Sequence, residues 1–135
     1  MLKRLFIVAV AVPLLGGYFT FATDLPEVAY QKYLAAIKAK NLGELNKYLS
    51  VQQRDKLNAE TSEDRNKMIE LIAAFMPKSI RVVEVIISSD NKSGTLKLAG
   101  TGGISGNDKV YGTVSMLREE AGWKINRDEW SNKQH

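Results

Sequence analysis

The spacing of apolar residues changes from a helical period to a strand-like period near residue 80. Before this point, Tyr30, Tyr33, Leu34 and Ile37 recur at i, i+3, i+4 and i+7, which places them on one stripe of a helix. After it, β-branched residues are frequent in IRVVEVIIS, and apolar and polar residues alternate in TLKLAGT. The pattern therefore predicts helices first and strands later.

Capping signals divide the first half of the chain into four helices. Asp24 is predicted to cap the long first helix, with Glu27 three residues later, as in a capping box. A short second helix follows Asn41, and Ser50 opens a third, mostly polar one. Thr61 or the serine after it is predicted to cap the fourth.

The fourth helix also has an apolar stripe. Its large apolar residues Met68, Leu71, Ile72 and Phe75 lie at helical spacing, and Pro77 ends the helix. We expect this stripe to face the core.

Four strands are predicted in the second half, and the last is WKINRDEW. Strict alternation places Trp123 and Ile125 on one face of this strand and Lys124, Asn126 and Asp128 on the other. Every connection between strands is short, so successive strands should pair antiparallel. The predicted fold class is α+β, with N-terminal helices packed on an antiparallel β-sheet of about four strands.

Composition excludes several kinds of chemistry. The chain has 135 residues, of which 44% are hydrophobic and 25% charged, which fits one globular domain. It has no cysteine, and its one histidine is His135, the last residue. Disulfides, thiolate catalysis and histidine-based triads or metal sites are therefore not expected within the domain, and we expect no metal and no cofactor.

The first segment predicts export. Two basic residues, Lys3 and Arg4, precede the uncharged run of residues 5–21, and Ala22 completes a small-x-small site. These are the parts of a secretory signal peptide, so residues 1–22 are interpreted as one, with cleavage after Ala22. The alternative is an inner-membrane anchor, because an uncharged run of 17 residues reaches the lower limit for spanning a bilayer.

Cleavage would change the charge and would define the working domain. The net charge would fall from +4 to +2, because the signal peptide holds two basic residues and no acidic ones. Residues 23–130 would form a single domain in the periplasm or outside the cell, and residues 131–135 a flexible tail. Charges of both signs are interspersed along this domain, which argues against nucleic acid as a partner.

Two stretches resemble a known superfamily. AIKAKNLGELNKYLS (residues 36–50) and EAGWKINRDEW (residues 120–130), together with the order of helices and strands, resemble the cone-shaped α+β superfamily named for nuclear transport factor two, in particular its small exported bacterial members of unknown function. The resemblance covers roughly residues 25–130. It implies that a long helix lies in the concave side of a curved sheet, and that the outer sheet face can form a homodimer. It implies no activity, because that superfamily contains enzymes, ligand carriers and protein-binding modules.

Candidate site residues follow from this expected cone. Tyr30, Tyr33, Tyr111 and Trp123 are candidates for lining a ligand pocket between helix and sheet, and simple core packing is the favoured alternative. Glu84 lies in the middle of an apolar strand and is the one candidate for a catalytic acid or base, with a solvent-facing position as the favoured alternative.

These observations favour a binding protein over an enzyme. The expected role is to hold a small apolar or amphipathic ligand in the cone, or a protein partner on the outer sheet face. One alternative is an isomerase or dehydratase that uses a carboxylate or tyrosine in the cone. Another is an envelope protein tethered to the membrane by residues 5–21.

Overall fold

The computed structural model describes residues 4–5 and 25–134. This part of the chain contains four helices, α1 Pro26–Lys38, α2 Leu42–Tyr48, α3 Val51–Asn58 and α4 Ser62–Phe75. It contains five strands, β1 Arg4–Leu5, β2 Ser79–Ile87, β3 Ser93–Gly102, β4 Asp108–Glu119 and β5 Gly122–Ser131. The α+β prediction is confirmed, since the four helices precede a sheet whose four long strands are antiparallel.

Helices α3 and α4 begin at the predicted capping residues, and α2 is capped by Asn41. The side chains of Asn41, Ser50 and Thr61 accept hydrogen bonds from backbone amides three residues later. These bonds satisfy amides that the first helical turn leaves unpaired. Helix α1 differs, because its N-cap is Leu25, which makes no side-chain cap hydrogen bond. The predicted cap residue, Asp24, lies outside the described residues.

The prediction for the buried face of α4 is wrong. The residue that this helix buries is Ile69, 2% exposed, with Ala73 and Met76 packed against the core beside it. The predicted stripe points outward instead, and its exposed fractions are 39% for Met68, 57% for Leu71, 37% for Ile72 and 81% for Phe75. Two apolar stripes compete on α4, and the one that contains Ile69 and Ala73 faces the core.

The sheet is a meander in the order β1-β2-β3-β4-β5. The turn SDNKSG joins β2 to β3, and Ser88 N donates to Ser93 O across it at 2.9 Å. The opening of β5 needs a glycine, because Gly122 has a φ of 112°, which side chains rarely allow.

Two β-bulges, one in β2 and one in β5, move the residues that follow them to the opposite face of the sheet. In β2, Val82 pairs with Leu98 and Glu84 with Lys97, so Val83 has no partner in β3. In β5, Ile125 pairs with Met116 and Arg127 with Ser115, so Asn126 has no partner in β4. An unpaired residue shifts the alternation of side chains by one position from there onward.

The core lies between α1 and the sheet. Tyr30, Tyr33 and Ile37 of α1 are 1%, 7% and 1% exposed, and they belong to one buried cluster with residues of the central strands. The cluster's strand residues include Leu96, Leu98, Val114, Met116, Trp123 and Ile125. Burial of each large apolar side chain contributes about 1.5–3 kcal/mol before the opposing conformational entropy. The prediction that Trp123 and Ile125 share the core-facing side of β5 is confirmed.

The segment predicted as a signal peptide or anchor lies outside the described residues except for Arg4 and Leu5. These two form β1, which pairs with Ile86 and Ile87 at the end of β2. Within residues 4–5 and 25–134, no helix is long and apolar enough to cross a membrane.

Candidate functional site

The four residues predicted to line a pocket do not all meet. Tyr30, Tyr33 and Trp123 are buried between α1 and the sheet, and the two tyrosine rings stack with centroids 5.7 Å apart. Tyr111 lies on the opposite face of the sheet, because its neighbour Gly112 is on the core face and side chains alternate along β4. The structure therefore brings three of the four together and packs them in the core.

Glu84 faces away from the helices. It pairs with Lys97 on the outer face of the sheet, directly after the bulge at Val83. Continued alternation from the core-packed Val82 would have turned Glu84 inward. The bulge instead turns Val85 inward, and Val85 is 4% exposed.

The second bulge brings a different carboxylate inward. Asp128 pairs with Val114, which is fully buried on the core face, so Asp128 faces α1 instead of solvent. The prediction that Asp128 points away from Trp123 and Ile125 is therefore wrong. The reason is Asn126, the unpaired residue, which moves every later residue of β5 to the other face.

Asp128, Tyr30, Tyr33 and Trp130 form what we call the polar cluster. The side-chain atoms Asp128 Oδ1, Tyr30 Oη and Trp130 Nε1 are buried, and none of them has a partner that meets hydrogen-bond geometry within the described residues. Glu27 Oε1, one turn before Tyr30 on α1, is also buried and unpaired. Native proteins leave few buried polar atoms unpaired, so several in one place indicate a functional site or bound water.

Burial and close neighbours shift the pKa values in the polar cluster. Burial raises the pKa of Asp128 from 3.8 to about 6, and the nearby Tyr33, Trp130 and Tyr30 act in the opposite direction. Burial also raises the pKa of Tyr30 and of Tyr33 well above the usual range, and the Asp128 charge adds to both shifts. At neutral pH the cluster thus offers one carboxylate acceptor and three neutral donors.

A glycine makes room for the indole of the cluster. Gly112 pairs with Trp130, and a Cβ at Gly112 would lie 2.9 Å from two atoms of the indole ring. Asp128 and Trp130 are half-buried, whereas Tyr30 is 1% exposed, so the cluster reaches the surface on the β5 side. A small molecule could approach the carboxylate from this side.

Sequence reasoning missed Asp128 because it assumed regular alternation through β5. One signal was present in WKINRDEW. Regular alternation from Ile125 would bury Arg127 and Glu129 and expose Trp130, which reverses the usual preference of these residue types. The structure places Arg127 and Glu129 together outside, joined by an ion pair of 2.9 Å.

The outer face of the sheet has a groove of about 640 Å³. Its charged lining residues are of both signs, Arg81 and Lys97 with Glu84 and Glu129, and Tyr111 lies among them. This is the largest concavity of those described, and it lies on the other face of the sheet from the Asp128 carboxylate. Over residues 4–5 and 25–134, no three histidine, cysteine or acidic residues are grouped to hold a metal ion.

Comparison with protein-family models finds no match, and comparison with curated proteins finds none. The resemblance to the nuclear transport factor two superfamily therefore stays a prediction.

Proposed function

We propose that the protein is an exported binding protein that holds a small, uncharged amphipathic molecule between α1 and the sheet. The observation that supports this is the set of buried, unpaired polar atoms in the polar cluster, Asp128 Oδ1, Tyr30 Oη and Trp130 Nε1. Tyr30, Tyr33 and Trp130 lie close enough to Asp128 to lower its pKa, but the three buried atoms have no partner at full hydrogen-bond geometry. A buried polar atom without such a partner costs up to about 1–3 kcal/mol. A ligand that pairs with them recovers this free energy on binding.

The cluster defines the polar end of such a ligand. The ionised Asp128 carboxylate only accepts hydrogen bonds, and the Trp130 indole only donates. A hydroxyl group suits both, because it donates to Asp128 and accepts from Trp130. An anionic head group is disfavoured, because it would approach the Asp128 charge in a partly desolvated place.

The apolar end of the ligand would meet the aromatic and aliphatic core wall. Within the cluster, Tyr33 and Tyr30 stack on each other, and their rings provide apolar surface next to a polar tip. A medium-chain or cyclic alcohol matches both ends.

The test is binding of such alcohols by ligand-observed NMR to the purified protein. Cyclohexanol and hexanol are the probes, and hexanoate and hexylamine report on charge. We expect the alcohols to bind and Asp128→Asn to weaken binding by about tenfold, because a hydrogen bond to a charged group is lost. Tyr111→Phe, on the opposite face, is the matched control and should bind like the wild type. Equal binding by Asp128→Asn and wild type, or no binding of any alcohol, would reject the proposal.

A second candidate function is proton transfer, of the isomerase or dehydratase kind. The observation that favours it is the raised pKa of Asp128, about 6, because a general base works best near the ambient pH. Tyr30 and Tyr33 would remain protonated and donate to a developing oxyanion. Turnover of hydroxy-ketone substrates that disappears in Asp128→Asn and rises with pH through 6 would favour this function, and turnover unchanged in that variant would exclude Asp128 as the base.

A further inference from the structure

A second concavity lies where α1, α2 and the β4–β5 turn meet. It has a volume of about 510 Å³, and its polar lining is Lys32, Lys47, Lys124 and Tyr48. We call it the lysine cleft. Its remaining lining residues are apolar or small: Leu25, Ala29, Ala121, Gly122 and Trp123. Small-molecule sites have this volume and this mixture of apolar wall and few polar groups.

The lysine cleft uses a different stripe of α1 from the polar cluster. Leu25, Ala29 and Lys32 follow one another at i, i+4 and i+7, beside the core stripe of Tyr30 and Tyr33. On β5, the cleft is at the start of the strand and the polar cluster towards its end. The two sites are therefore separate.

Lys124 is the unusual member of the cleft. It is 7% exposed, one of two buried polar or charged residues of the described chain, and its Nζ donates to the backbone carbonyl of Lys47. A carbonyl oxygen does not neutralise an ammonium group. Burial accordingly lowers the pKa of Lys124, and the nearby Arg54 acts in the same direction while Glu119 opposes it. An ammonium group has three hydrogens, so Lys124 keeps donor capacity for a further acceptor.

The acids near the cleft already have partners, and one of them pairs with a lining lysine, Lys47. Glu44 pairs with Lys47 at 2.7 Å. Glu119 accepts from Val51 N at 2.8 Å and lies 3.8 Å from Arg54. Among the described residues, no carboxylate forms an ion pair with Lys32 or Lys124. The lining itself contains no acidic residue, which distinguishes this cleft from the mixed-charge groove on the outer sheet face.

We infer that the lysine cleft binds a small anion with an apolar body, such as a medium-chain carboxylate or an alkyl phosphate. The anionic group would accept from Lys124 and Lys32, and the apolar body would lie against Leu25, Ala29 and the Trp123 side of the cleft. Glu119 acts on Lys124 without forming an ion pair with it, so an anion in the cleft would give Lys124 its contacting charge partner. The ligand class differs from that of the polar cluster, where Asp128 repels anions.

The experiment is isothermal titration calorimetry of the full chain with octanoate, octyl phosphate, octanol and inorganic phosphate. We expect octanoate and octyl phosphate to bind, with affinity falling as salt rises. In Asp128→Asn, where alcohol binding at the polar cluster is weakened, octanol should bind at least about tenfold more weakly than octanoate. Lys124→Met and Lys32→Gln should each weaken the binding of octanoate by about tenfold. Methionine keeps the apolar stem of the buried lysine, and Lys32 is exposed, so neither change should prevent folding.

Two controls make the outcome specific. Lys38→Gln removes an exposed lysine of α1 outside the lining and should leave octanoate affinity unchanged. Asp128→Asn should also leave it unchanged, which separates this site from the polar cluster. The inference is overturned if octanoate does not bind, if Asp128→Asn binds octanol as tightly as octanoate, or if Lys124→Met and Lys32→Gln behave like Lys38→Gln. Inorganic phosphate binding as tightly as octyl phosphate overturns the assignment of an apolar body.

Discussion

The hydroxyl of Ser50 donates a hydrogen bond of 2.9 Å to Asn126 Oδ1, and this joins the helical layer to the bulge of β5. Ser50 also accepts from Gln53 N as the cap of α3, and its own backbone amide donates to Ile125 O at 2.9 Å. The residue is 1% exposed. One serine therefore starts a helix and fixes the unpaired residue that turns Asp128 inward.

We predict that Ser50→Ala lowers the free energy of unfolding by about 2–3 kcal/mol, because it removes a helix cap and leaves Asn126 without its buried donor. The measurement is urea unfolding. Thr61→Ala removes the cap of α4 at an exposed position and should cost about 1 kcal/mol. Equal losses for the two variants would mean that the bond to Asn126 contributes nothing.

Stability should fall as pH rises from about 4 to about 6, because of Asp128. The folded pKa of Asp128 is raised from 3.8 to about 6, so in this window the unfolded chain releases its proton while the folded protein retains it. The resulting loss in the free energy of unfolding is absent below pH 4 and complete above pH 6, where it amounts to about 3 kcal/mol.

Asp128→Asn should remove this part of the pH dependence and make the protein more stable than wild type at pH 7. Urea unfolding of both proteins at several pH values measures the two effects. Asp55→Asn changes an exposed acid of α3 and should keep the wild-type slope. A pH profile that Asp128→Asn leaves unaltered would contradict the buried, ionisable position of this carboxylate.

Gly112 should not tolerate a side chain. A Cβ there would lie 2.9 Å from the Trp130 indole, so Gly112→Ala must displace this ring and is expected to cost about 1–3 kcal/mol. The matched control is Gly43→Ala in α2, where a Cβ would meet only Asn41 Oδ1 at 3.5 Å. It should be neutral or should stabilise by up to about 1 kcal/mol, since alanine favours helix. Trp130 fluorescence should shift in the first variant and stay constant in the second.

The two faces of α4 should respond oppositely to substitution. Ile69→Ala removes a buried side chain and should lower the free energy of unfolding by about 2–5 kcal/mol. Phe75→Glu changes a residue that is 81% exposed and should alter stability by less than about 0.5 kcal/mol. Denaturant unfolding of both variants tests this. A large loss for Phe75→Glu would show that the outer apolar stripe is covered in solution.

Protein recovered from the cell envelope should be lighter by residues 1–22. Such cleavage would also remove β1, leaving β2 as the edge strand of the sheet. Intact-mass measurement and peptide mapping of the N-terminus decide the matter. A protein that keeps Met1 or Leu2 would contradict cleavage and support the membrane-tethered alternative.

The sequence by itself determined the order of helices and strands, the antiparallel meander and the caps of α3 and α4. Ser50 and Thr61 could be predicted as caps because capping is a local interaction between a side chain and amides a few residues away. The core stripe of Tyr30, Tyr33 and Ile37 could be predicted because helical periodicity is also a local property of the sequence.

Only the tertiary structure decided which acid faces the helices. The bulges at Val83 and Asn126 exchange the positions that regular alternation assigns, so that Glu84 faces outward and Asp128 inward. A bulge depends on the register with a neighbouring strand and, at Asn126, on a hydrogen bond from Ser50, 76 residues away in the chain. Both apolar stripes of α4 have helical spacing, so the tertiary contacts of the helix decide which stripe is buried. Local sequence patterns carry the period of an element, but contacts between distant residues set its register and its buried face.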